Sequence, residues 1–108
     1  MLNDIAESSG TSSQIEWAIV IKRRVAVEFE RVEAAFRAVA GNQDGCRRTR
    51  TEAILSILEE KRATVMANDQ AGYFIREWQE IGDQVRQMIF RDARYPGNVR
   101  NSTCRTSE

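Results

Sequence analysis

Apolar residues recur between positions 15 and 39 at alternating steps of three and four, through Ile15, Ala18, Val25, Phe29, Val32, Phe36 and Val39. Lys22 is the one charged residue in that register. Such spacing holds side chains on one face of a helix. The first half of the run, "IEWAIVIKRRVAVEF", also suits β structure, because Ile, Val, Trp and Phe are good strand formers. A hairpin would pair Ile15 to Ile21 with Val25 to Phe29 around a Lys22-Arg23-Arg24 bend, which has no glycine or asparagine to supply the positive φ of a tight turn. Nor would it explain the register beyond Phe29. Ser13-Gln14-Ile15-Glu16 has the form of a capping box, a helix-start signal. The pattern therefore predicts a helix over about 13–40, stopped by Gly41-Asn42 and roughly 42 Å long.

"GNQDGCRRTR" is a loop with turn chemistry at Asp44-Gly45. Thr49-Arg50-Thr51-Glu52 repeats the capping-box form and predicts a second helix over about 50–67, with Ile54, Leu55, Leu58, Val65 and Met66 on one side. Asn68-Asp69 interrupts. A third helix over about 70–94 carries the seam Phe74, Trp78, Ile81, Val85 and Met88 and stops before Tyr95-Pro96-Gly97. The expected core is Val25, Phe29, Val32 and Phe36 from the first helix, Ile54, Leu58 and Val65 from the second, and that seam from the third. Residues 1–12 and 96–108 carry little to bury and are expected to be flexible arms around one helical domain at 13–95. The fold class implied is all-α, a three-helix antiparallel bundle or long helical hairpin. The alternative is an α+β domain with a β-hairpin at 15–29.

Helical projection then separates a second set of apolar positions from the seam. Trp17, Val20, Ile21 and Val27 fall on the flanks of the first helix, so its N-terminal half is greasy over most of its circumference. A shorter second helix leaves part of the first without an intrachain neighbour. Large apolar patches left in water mark interfaces, and a two-fold dimer through this segment is the simplest expectation. Lys22 inside the seam, and Lys61 and Arg62 inside the second helix's stripe, are read as charges whose heads reach the bundle edge, with Glu28 and Glu77 as nearby counter-charges.

Composition narrows the function classes. A chain of 108 residues with 42% hydrophobic and 30% charged residues is an ordinary globular protein of one-domain size. Sixteen basic and sixteen acidic residues leave no net field to attract nucleic acid or anionic lipid. Histidine is absent, which removes the commonest general base, the commonest metal ligand and every imidazole-dependent triad. Cys46 and Cys104 are far apart in polar surroundings, and reduced thiols in the cytoplasm are the simplest reading. "MLNDIAESSG" has acidic residues where a secretory leader has basic ones, and Trp17 to Ile21 is far too short to cross a bilayer, so neither export nor membrane insertion is expected.

Two clusters carry candidate chemistry. Glu30 and Glu33 form E-x-x-E on one helix, and Glu77, Glu80 and Asp83 form E-x-x-E-x-x-D on another; carboxylates so spaced can hold a divalent cation. The pattern resembles the all-α nucleotide pyrophosphohydrolases of the MazG and dimeric dUTPase type, and the resemblance implies magnesium among Glu30, Glu33, Glu77 and Glu80. Glu80 and Asp83 project away from the Phe74-Trp78-Ile81 seam, however, and carboxylates that keep helices soluble are the preferred account. Arg47, Arg48 and Arg50 stand before an expected helix N-terminus, where free amides attract anions, giving a second alternative as a weak nucleic-acid binder. No phosphate-cradling glycine motif is present.

The function expected from these features is a non-enzymatic helical interaction module without a cofactor. It would act as a homodimer that engages another protein, as small bacterial accessory factors, chaperones, antitoxins and immunity proteins do.

Overall fold

The computed structural model describes residues 5–96; the remainder of the expected arms, residues 1–4 and 97–108, lies outside the described residues. The fold is all-α, with four α-helices and no strand among the described residues: α1 (Ser12–Gly41), α2 (Gly45–Met66), α3 (Ala71–Glu77) and α4 (Ile81–Phe90). α1 passes without interruption through 15–29, the segment that could have been a hairpin. It is the spine of the molecule, and α2, α3 and α4 all pack against it.

The start of α1 lies earlier than its sequence signal. Thr11, not Ser13, is the N-cap: its hydroxyl accepts from the Gln14 amide, and the Gln14 side chain accepts from the Thr11 amide. Glutamine at the third helical position fills the role expected of Glu16. α2 also begins earlier, at Gly45, whose φ of 61° is the left-handed conformation that glycine adopts without steric cost. Thr49-Arg50-Thr51-Glu52 therefore lies inside α2 and is not a cap. Thr49 Oγ1 donates back to the Gly45 carbonyl, and Thr51 Oγ1 donates to Gln43 Oε1 at 2.6 Å.

The long third helix is two helices. Trp78 leaves helical geometry at φ −114° and ψ 60°, and α4 restarts at Ile81 in a new direction. Gln84 closes the break: its amide nitrogen donates to the Glu77 carbonyl and its oxygen accepts from the Glu80 amide. One amide and one carbonyl freed by the interruption thereby regain partners.

The N-terminal arm is docked where it is described. Ile5 is buried, and Glu7–Ser9 form a 3₁₀ turn. The Ala6 amide donates to the Asp69 carbonyl at 2.7 Å, and Ser9 Oγ accepts from the Ala71 amide at the start of α3. This segment thus closes the end of the bundle that sequence reading left open.

One apolar cluster unites these elements. Val25, Phe29, Phe74, Val85 and Ile89 are wholly inaccessible, Val32, Ile54, Leu58, Val65 and Trp78 nearly so, and Phe36, Ile81 and Met88 pack half-buried at its margin. Phe29 and Trp78 meet with ring centroids 6.2 Å apart. Each such side chain stabilises the fold by roughly 1.5–3 kcal/mol on burial. Ile57 and Ile89 join the core although neither was expected there; the turn at Trp78–Glu80 rotates α4 so that Val85 and Ile89 point inward in place of a continued Ile81–Met88 seam.

Candidate functional site

The outer face of α1 carries exposed large apolar side chains. Trp17 is 51% exposed, Val20 37% and Val27 60%. Ile21, expected beside them, is instead 6% exposed and belongs to the core, because one residue along a helix turns the side chain by about 100° toward the covering helices. The three exposed residues belong to a longer stripe, continued by Arg24, Arg31, Ala34 and Ala38, all exposed, with the same alternation of three and four that marks the buried seam. α1 is thus patterned for two faces. The inner is covered by α2, α3 and α4; the outer ends in two alanines that would let another helix approach closely.

Charged groups lie within and beside this stripe. Arg31 pairs with Glu28 at 2.8 Å, an i,i+3 contact, and Arg37 with Glu33 at 2.6 Å. Glu28, read from sequence as a counter-charge for the seam, is therefore engaged on its own helix. Lys22 is not solvated at the edge: it is 6% exposed, donates from Nζ to the Asn68 main-chain carbonyl at 2.8 Å, and lies 5.4 Å from the Phe74 ring centroid.

The four carboxylates of the metal alternative do not converge. Glu30 and Glu33 both reach Arg62 of α2, at 3.0 and 3.7 Å, so this pair locks α1 to α2. Glu77 and Glu80 stand at the α3–α4 break and, with Asp83, rim a cavity of about 460 Å³ floored by Trp78 and Met88. No group of three acidic, cysteine or histidine side chains suited to a metal occurs among the described residues. Trp78 Nε1 is buried without a hydrogen-bond partner there.

The basic cluster is dispersed by the early start of α2. Arg47, Arg48 and Arg50 occupy its first two turns instead of preceding it; Arg48 pairs with Glu52 at 3.1 Å, while Arg47 and Arg50 border a small cleft beside Tyr95. Cys46, in the same turn, is disulfide-bonded, which departs from the reduced thiol expected; Cys104 lies outside the described residues.

Sequence reasoning missed a four-residue ion network tying α2 to the turn after α4. Asp92, its side chain 8% accessible, accepts from Lys61 at 3.0 Å and from both the side chain and the amide of Arg94; Arg94 also reaches Glu60. Hydrogen bonds from Arg94 and then Lys61 hold the Asp92 carboxyl well below the usual carboxylate range, and Glu60 is lowered by Arg94. Asp92-Ala93-Arg94 has no distinguishing sequence signature; only the folded turn brings it to Lys61.

No family model, curated protein or solved structure matches the chain. No helix among the described residues is long and apolar enough to cross a membrane.

Proposed function

We propose that this protein is a non-enzymatic helical interaction module that works as a homodimer and offers its bundle surface to a further protein, in the manner of small accessory, chaperone, antitoxin or immunity factors. The reading is carried by one observation. A tryptophan and two valines stand exposed to water on one face of a helix whose opposite face packs Ala18, Val25, Phe29 and Val32 into the core. Isolated exposed apolar residues are ordinary, but an aligned set on a rigid helix is the pattern of a surface that is covered in use. Absence of histidine and the diversion of Glu30 and Glu33 into pairs with Arg62 favour binding over hydrolysis.

Sedimentation at micromolar concentration tests the reading: a two-chain mass is expected, and Val20→Glu with Val27→Glu should reduce it to one chain with helical content intact. A single-chain mass for the unaltered protein would defeat it. Specific heat of magnesium binding together with nucleotide turnover would instead favour the pyrophosphohydrolase alternative.

Thiol chemistry bears on the compartment. A disulfide at Cys46 persists where thiols are not kept reduced, which favours an oxidising compartment over the cytoplasm expected from sequence. Free-thiol counting on protein taken directly from its cells decides it, and two free thiols per chain would restore the cytoplasmic placement.

A further inference from the structure

We infer that two copies pair antiparallel along α1, about a two-fold axis passing between Val25 and Ala26, in a register chosen by charge. This rests on the reading that the outer stripe of α1 is the dimer contact, and it specifies the partner and its orientation. Three features lead to it.

The stripe has coiled-coil spacing, so a facing helix meets it in layers. With the axis between Val25 and Ala26, Trp17 of one copy lies over Ala34 of the other, the largest side chain of the stripe against one of its smallest. Val27 faces the stem of Arg24, and Val20 the stem of Arg31. Each valine is covered by an arginine's methylenes while the guanidinium heads stay at the rim. The axis falls near the middle of α1 (Ser12–Gly41), so the two helices overlap along almost their whole length.

The border charges then match. The exposed residues one step before the stripe's larger-spaced positions are Glu16, Arg23, Glu30 and Arg37. In this register Glu16 faces Arg37 of the second copy and Arg23 faces Glu30, and the two-fold repeats both, so all four border contacts join opposite charges. Sliding one helix by a heptad sets Glu16 against Glu30 and Arg23 against Arg23; sliding it the other way sets Arg23 against Arg37 and Glu30 against Glu30. A parallel pair stacks Arg24 on Arg24 and Arg31 on Arg31. Like charges directly opposed disfavour those arrangements, so this alignment is the one free of repulsion. Arg37 and Glu30 also hold intrachain partners, Glu33 and Arg62. Those are exposed surface pairs, which exchange at little cost.

Charge reversal tests the register. Glu16→Arg opposes two arginines twice per dimer, and Arg37→Glu opposes two glutamates twice. Each variant should dimerise roughly tenfold more weakly than the unaltered chain, with unchanged circular dichroism. An equimolar mixture of the two should form a heterodimer. At one end of its interface the two substituted positions face each other with their charges exchanged, and at the other end the native Glu16 still faces the native Arg37. Both ends are then complementary, and the original dissociation constant should be recovered. Recovery supports the antiparallel alignment, since neither a heptad slip nor a parallel pair brings these positions together. If single variants dimerise normally, or the mixture associates no more tightly than either alone, while Val20→Glu with Val27→Glu still yields monomers, the register is wrong although the surface is right. A monomeric unaltered chain overturns both.

Discussion

Lys22 Nζ donates to the main-chain carbonyl of Asn68 at 2.8 Å, joining the middle of α1 to the loop that ends α2. The ammonium is almost entirely withdrawn from water beside the Phe74 ring, so its stem packs as core while its head reaches a carbonyl beyond the last turn of α2. Replacing such a group by a hydrophobe of similar shape is commonly close to neutral, whereas a reversed charge in the same place has nothing to compensate its desolvation. Lys22→Met should therefore change unfolding free energy by about 1 kcal/mol or less, and Lys22→Glu should lower it by about 3 kcal/mol or more. Urea unfolding of the three proteins measures both, and equal losses would mean that water reaches Nζ freely.

Val20 and Ile21 are chain neighbours with opposite expected consequences. Ile21 is sealed in the core and Val20 stands in water. Ile21→Glu buries a carboxylate without a partner and should destabilise the monomer by about 3 kcal/mol or more. Val20→Glu should leave the unfolding free energy of the monomer within about 0.5 kcal/mol, as surface changes do, while weakening association. Denaturation run alongside sedimentation separates the two effects.

Asp92 supplies a pH signature. Its folded-state carboxyl is lowered by Arg94 and Lys61 below the unfolded value of about 3.9. A lowered folded pKa adds stability that is complete above the unfolded value and is lost as pH falls through the folded one. Asp92→Asn should thus melt below the unaltered protein at pH 7, and the gap should narrow as pH drops below about 4. Melting curves from neutral pH down into the acid range provide the check. A gap independent of pH would assign the loss to altered turn geometry instead of charge.

Gln84 holds the α3–α4 break through contacts to Glu77 and Glu80. Gln84→Ala removes both, and since the groups are exposed and water can replace the side chain, the expected cost is about 1 kcal/mol. Amide exchange at Glu80 should quicken more than exchange in α1. If protection at Glu80 is unchanged, the break is maintained by burial of Trp78 alone.

How far the sequence reached depends on the range of the interactions involved. Periodicity over residues 15–39 determined α1, because a helix face is set by local spacing and every turn repeats the same signal. It also selected most of the core, from Val25 and Phe29 to Phe74, Trp78 and Val85. The outer apolar flank was visible for the same reason, save for Ile21, whose side of the helix could be assigned only once α2, α3 and α4 were in place. What tertiary structure decided was every feature joining residues distant in the chain. The helix break at Trp78 has no glycine or proline to announce it; it lets Trp78 meet Phe29 while Val85 and Ile89 still face inward. Lys22 found a carbonyl 46 residues away, Ser9 an amide 62 residues away, and Asp92 a lysine on another helix. Local patterns fix which face of an element is apolar, but a polar group's partner is fixed by three-dimensional proximity, which closure of the bundle alone creates.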